Sequence, residues 1–258
     1  DGLVKDTNNL KETSLNYIMA QDKINLDNKI KFFKTHSANW KAYNTSFTNL
    51  ENSLAVIHIV RDPRNIITSV LNHFSKENYA EALEFMNNST QRIWDNKNEN
   101  EKFLTLISTW SNHYNSWKKF EKNNLLISYE KLLNEPEKEF TKICNLLSRT
   151  ANLNFEKDQV LRAIDKCKFL NLQNLETEMG FIEAVSDKDG NVKKFFNLGP
   201  NNNWKNLLDP KIKLQIENLF ENEMKELGWQ YSTELEDGIK KTYLWFLDNI
   251  DTIKEIKL

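Results

Sequence analysis

The chain has 258 residues, 35 of them basic and 37 acidic, for a formal net charge of -2. That balance argues against general nucleic-acid binding and leaves room only for a local basic pocket. The length suffices for one large domain with a proper core, yet no apolar run is long enough to span a membrane.

Two cysteines, Cys144 and Cys167, lack metal-ligand spacing and fit a reducing, cytoplasmic compartment. No secretory pattern is present. The six glycines are Gly2, Gly180, Gly190, Gly199, Gly228 and Gly238. They stand too far apart for GxxxxGK or GxGxxG, so an anion site must use other donors.

In chain order, residues 3–29 are polar with weak helical periodicity, and IKFFK (30–34) reads as a short strand. LAVIHIV (54–60) is apolar on both faces, as in the middle of a parallel sheet. Asp62 is placed to cap a helix and Pro63 to occupy its first position, which predicts a helix from 63 to about 74. Residues 79–94 and 101–121 read as helices. In the second, Phe103, Ile107, Trp110, Tyr114 and Trp117 share one face, a core stripe. NLLIS (124–128) is a third strand, followed directly by Tyr129. Helices are expected at 136–148, 156–168 and 209–227, with 180–206 a surface loop. Strands alternating with helices predict an α/β fold with a parallel sheet.

Ligands of open parallel sheets bind beyond the carboxyl ends of the strands. The three expected strands end at Lys34-Thr35-His36, at Arg61 and at Tyr129. An ammonium and an imidazole two residues apart suit an anionic group that must meet a nucleophile, since histidine takes a proton near neutrality. The dyad equally fits a polar strand end in water. Arg61, Asn65 and Ser69 follow one stripe of the expected helix, where a guanidinium, a hydroxyl and free N–H groups suit a phosphate. Arg61 paired to Asp62, with Ser69 merely packed, is the other reading. Tyr129 offers a ring on which a base could lie, or a packed side chain. His58 reads as a core residue, and the histidines form no metal constellation.

Lys34-Thr35-His36, VRDPRNIITSVLNHF and ISYEKLLNEPEKEF, in this order, resemble the cytosolic-type sulfotransferases, which use 3′-phosphoadenosine 5′-phosphosulfate (PAPS). The resemblance continues through FFNLGPNNNWKNLLDPKIKLQIENLFENEMKELGW and covers most of residues 30–229. It implies a P-loop NTPase-like sulfotransferase fold, with a three-layer parallel sheet flanked by helices. It implies that His36 is the general base and that Lys34 contacts the transferring sulfuryl group. Arg61 and Ser69 match the pair that holds the 3′-phosphate, and Tyr129 a residue that contacts the adenine. Gly199, Trp204 and Lys205 match parts of the late RKGxxGxWK segment that closes over the nucleotide. No metal is implied. The acceptor would be a small molecule or saccharide bearing a hydroxyl or amine.

The chain departs from this pattern twice. Asn197-Leu198 replaces the Arg-Lys before the glycine, and Asn202 replaces the second glycine. Two cationic donors are thereby lost, unless Lys193 or Lys194 substitutes. No YPKSGTTW-like loop is present either, so residues 1–232 are expected to form a sulfotransferase domain incomplete at its N-terminus. A tail at 233–258 carries an amphipathic helix, LEDGIKKTYLWFLDN (235–249), which resembles the closing helix of GDP-fucose-synthase-type reductases and also reads as a simple docking helix. Two functions stand against each other: PAPS-dependent sulfuryl transfer, and a non-catalytic relic that keeps only nucleotide binding. A kinase-like enzyme would need a Walker lysine and a magnesium-binding hydroxyl, and neither motif is visible.

Overall fold

A computed structural model describes residues 3–98, 101–186, 189–229 and 235–254. The chain begins with α1 (Leu10–Asn25) and a small hairpin, β1 (Lys41–Ala42) with β2 (Thr45–Ser46). Strand β3 (Val56–Val60), α2 (Pro63–His73) and α3 (Tyr79–Asn87) follow. An antiparallel hairpin, β4 (Arg92–Asn98) with β5 (Glu101–Leu106), leads to α4 (Trp110–Lys118) and β6 (Asn124–Ser128). Helices α5 (Tyr129–Asn134), α6 (Pro136–Ala151), α7 (Lys157–Lys166) and α8 (Phe169–Met179) precede a second small hairpin, β7 (Val185–Ser186) with β8 (Val192–Lys193). A 3-10 turn (Gly199–Asn201) leads to α9 (Trp204–Leu207), α10 (Pro210–Leu219) and α11 (Glu221–Glu226), and α12 (Leu235–Lys254) closes the described residues.

The fold is helix-rich α/β with a parallel sheet made by β3 and β6. Their connection carries α2, α3, the β4–β5 hairpin and α4, the long crossover that parallel neighbours require. Helix α2 starts as expected. The Asp62 carboxylate accepts from the Arg64 backbone N–H at 2.9 Å, and Pro63 fills the position that needs no N–H donor. The same Asp-Pro start recurs at Asp209-Pro210 of α10.

Two expectations are corrected. IKFFK (30–34) forms no strand; it joins no ladder, and Phe32 and Phe33 are 66% and 69% exposed. Apolar residues favour a strand only where a neighbour supplies pairing and cover. The helices expected at 79–94 and 101–121 are both shorter, because the β4–β5 hairpin takes the residues between them. Ser108 sits at φ 60°, and the Thr109 hydroxyl caps α4 by accepting from Asn112 N at 3.0 Å. That Ser-Thr pair marks the helix start. Tyr114 and Trp117 of the expected stripe are buried all the same.

The core lies behind α2. Ile67 and Val70 pack with Ala82, Leu83, Phe85 and Met86 of α3, with Ile216 of α10, with Phe220 and with Met224 of α11. The opposite face of α2 is thereby left for polar work. No described helix is long and apolar enough to cross a membrane. Helix α12 exposes Ile239, Tyr243 and Trp245.

Candidate nucleotide and catalytic site

The β3–β6 register sets Val60 opposite Ser128. The next residues, Arg61 and Tyr129, therefore leave the two strands side by side, and the Arg61 Cζ lies 4.5 Å from the Tyr129 ring centroid. Two turns into α2, the Ser69 hydroxyl accepts from an Arg61 terminal nitrogen at 3.3 Å. Arg61 Nε is buried without any partner. Burial lowers the Arg61 pKa from the ordinary guanidinium value, and nearby Tyr129, Glu130 and Asp62 oppose that shift. Arg61, Asn65, Tyr129, Glu130, Pro200 and Asn202 line a pocket of about 220 Å³ at this edge. Glu130 belongs to the scaffold: its carboxylate accepts from Asp62 N at 3.0 Å and from the Ser128 hydroxyl at 3.0 Å, tying the strand ends together. An orphaned guanidinium N–H, a hydroxyl and a flat ring on one wall fit a phosphate borne on a nucleoside.

The late segment closes the other wall. Gly199 has φ 51°, and a Cβ there would meet the Phe169 ring at 2.3 Å, so only glycine makes this turn without strain. Asn202 tucks its amide against α2, and Asn65 Oδ1 accepts from Trp204 N at 3.0 Å. Trp204 is 9% exposed, with the Arg64 guanidinium 4.0 Å from its ring centroid. Arg64 is itself held by Asp62 and, at 2.7 Å, by Glu217 of α10. Trp204 is thus a wall braced from below. Lys205 is exposed, with its ammonium 5.7 Å from the Trp204 ring, away from the pocket lining. The Lys194 carbonyl accepts from Asn72 Nδ2 at 3.3 Å, which lays this segment along the last turn of α2.

Lys34 and His36 lie on the unpaired segment between α1 and β1 rather than at a strand end. Helix α4 anchors that segment: Trp117 Nε1 donates to the Ser37 carbonyl at 2.9 Å, His113 Nε2 lies 3.3 Å from the His36 carbonyl, and Asn39 N donates to Ser116 Oγ at 2.9 Å. The Lys34 ammonium pairs with Glu183 at 2.5 Å. His73, one turn beyond Ser69, feels the charges of Glu183, His36 and Lys34, while burial lowers its pKa. Helix α2 thus runs from the Arg61 strand end, past Ser69, to His73, which feels the charges of Lys34 and His36. His58 is buried in β3, its pKa pushed down to about 4 by burial and then by His113. Its Nδ1 has no hydrogen-bond partner, and the residue belongs to the core as expected. Among the described residues no group of three histidine, cysteine or acidic side chains could hold a metal ion.

Sequence reasoning missed Glu130, Glu183, His113 and the fate of Asn202. Glu130 adjoins Tyr129, and Asn202 stands at a replaced glycine, so both carried a signal. The partnerships of Glu183 and His113 link residues 149 and 77 positions apart, which no local pattern reveals.

A mouse sulfotransferase, SULT7A1, solved in complex with PAP, is similar at 21% identity. The similarity covers 66% of this chain and 58% of that chain, with a TM-score of 0.48. A retinol dehydratase solved with retinol and PAP is similar at 16% identity over 69% of this chain and 49% of that chain, with a TM-score of 0.46. The chain thus spans about half the length of these structures. The family model described as the sulfotransferase domain matches residues 9–228, a range that takes in both strand ends, α2, the lysine–histidine segment and the late turn. The chain belongs to the sulfotransferase-domain family.

Proposed function

We propose that this chain serves PAPS-dependent sulfuryl transfer to a hydroxyl or amine of a small-molecule or saccharide acceptor in the cytoplasm. Arg61 and Ser69 hold the 3′-phosphate of the nucleotide, and Tyr129 gives the adenine a flat neighbour. Pro200 and the braced Trp204 bound the pocket on the far side. Bound PAPS supplies an activated sulfuryl group, whose bond to the 5′-phosphate breaks as the acceptor attacks sulfur and adenosine 3′,5′-bisphosphate leaves. His36 takes the proton from the attacking hydroxyl or amine. Lys34 exchanges Glu183 for the negative charge of the transferring group.

The observation that carries this reading is the buried, partnerless Arg61 Nε beside the Ser69 hydroxyl and the Tyr129 ring. Calorimetric titration with adenosine 3′,5′-bisphosphate and with 5′-AMP tests it. The bisphosphate should bind more tightly, and Arg61→Ala should cost the bisphosphate far more than 5′-AMP. Equal losses for both ligands remove the 3′-phosphate contact.

A second reading, binding without turnover, draws support from the Lys34–Glu183 pair and from Asn197-Leu198 in place of two cations. On this reading the 258-residue chain binds the bisphosphate and shows little or no transfer from PAPS to a panel of hydroxyl acceptors. Robust transfer rules it out.

A further inference from the structure

Asn202 stands where the resemblance places a glycine, and its side chain fills the space that a glycine would leave. It is 8% exposed. Its amide orientation follows from its neighbours. The Asn65 carbonyl, 2.9 Å from Nδ2, can only accept, so the NH2 end must face it. Oδ1 then meets the Thr68 hydroxyl at 2.7 Å. The second N–H of Nδ2 is left towards Ser69 Oγ, 3.4 Å away.

That geometry decides what Ser69 can do. A hydroxyl has two lone pairs and one proton. Donors face Ser69 Oγ from Arg61 at 3.3 Å and from Asn202 at 3.4 Å. With both lone pairs so faced, the Ser69 proton is the part of the hydroxyl left to reach outward. Both N–H groups of Asn202 are thus directed at acceptors, and the Arg61 Nε–H and the Ser69 O–H remain as donors without acceptors. A bound anion would supply them.

We propose that Asn202 is a positioning residue for the ribose-phosphate subsite: it orients the Ser69 hydroxyl as a donor and thereby sets the preference for a 3′-phosphorylated nucleotide. The inference rests on the nucleotide reading above. Asn202→Asp tests it, because the shape is kept while the donor becomes an anionic acceptor. Ser69 would then donate to the aspartate, and the phosphate would meet negative charge.

Calorimetry on the full chain measures the ratio of dissociation constants for 5′-AMP and adenosine 3′,5′-bisphosphate. Asn202→Asp should reduce that ratio at least about tenfold, the scale of one charge-assisted hydrogen bond. Thr68→Val, which removes the donor to Asn202 Oδ1 while the Asn65 carbonyl still sets the amide's orientation, loosens the amide and should reduce it less and in the same direction. Asn202→Ser, which keeps a short polar donor, should recover part of the ratio. A uniform weakening of both ligands would make Asn202 a structural residue only, and an unchanged ratio would also overturn the proposal. If Asn202→Asp fails to fold, Asn202→Ala, which removes the amide outright, carries the test, and an unchanged ratio there overturns it. A wild-type chain with no preference for the bisphosphate defeats this proposal together with the 3′-phosphate reading. A wild-type preference that needs Arg61 but ignores Asn202 and Thr68 defeats this proposal alone.

Discussion

Arg64 offers the sharpest test of how the site is braced. Its guanidinium donates to Asp62 through Nε at 2.9 Å and a terminal nitrogen at 2.7 Å, and to Glu217 at 2.7 Å. The side chains of Arg64, Asp62 and Glu217 are 3%, 5% and 4% exposed. Arg64→Met keeps the apolar stem against Trp204 and removes the charge, leaving two carboxylates buried without their cation. Breaking a buried pair in this way costs roughly 3–5 kcal/mol. With a urea dependence of about 2–3 kcal/mol per molar, the unfolding midpoint should fall by about 1–2.5 M. Glu217→Gln in the Arg64→Met background should cost much less than Glu217→Gln alone, since the glutamate then lacks a partner to lose. Equilibrium urea unfolding of the four chains gives the cycle. A midpoint shift below about 0.3 M for Arg64→Met, or equal costs for Glu217→Gln in both backgrounds, would refute the bracing.

Further outcomes follow from individual residues. In a form of the enzyme that turns over, His36→Ala should lower turnover by roughly 10²–10⁴-fold, the range for general-base catalysis, and a near-normal rate removes His36 from that role. His58 has a folded pKa pushed down to about 4, below its unfolded value of roughly 6.5, so the unfolded chain binds the proton first. Its contribution is full above about pH 6.5 and is lost as pH falls towards 4, with a ceiling of roughly 3 kcal/mol from a pKa difference worth 1.36 kcal/mol per unit. Thermal melts across that window should decline less steeply for His58→Leu than for the wild type; parallel slopes exclude the effect. Gly199→Ala forces a positive φ on a residue with a Cβ and drives that atom into the Phe169 ring. It should cost about 1–3 kcal/mol in urea unfolding, and Phe169→Ala should recover part of it; a cost near zero means the turn adapts freely.

By itself the sequence determined the pieces whose logic is local. An Asp-Pro pair after an apolar run marks the start of α2, because capping and a fixed proline φ act over neighbouring residues. The eight-residue step from Arg61 to Ser69 sets them on one stripe, because helical periodicity does. VIHIV and NLLIS read as strands from composition alone, but not with the cover expected of a sheet centre, since Ile59 is 54% and Leu126 41% exposed. Only the tertiary structure decided what depends on distant partners. IKFFK has strand-like residues but no ladder, because pairing is a property of two segments. KFLTLI matches a helical stripe yet pairs with residues 92–98 in a hairpin. The register that brings Arg61 beside Tyr129 joins segments 68 residues apart, and the carboxylate on Lys34 comes from 149 residues away. Asn202 reads in the sequence as a lost glycine. In the fold it is a buried amide whose hydrogens face the Asn65 carbonyl and the Ser69 hydroxyl while its oxygen accepts from Thr68, because a donor's direction is set by the acceptors around it.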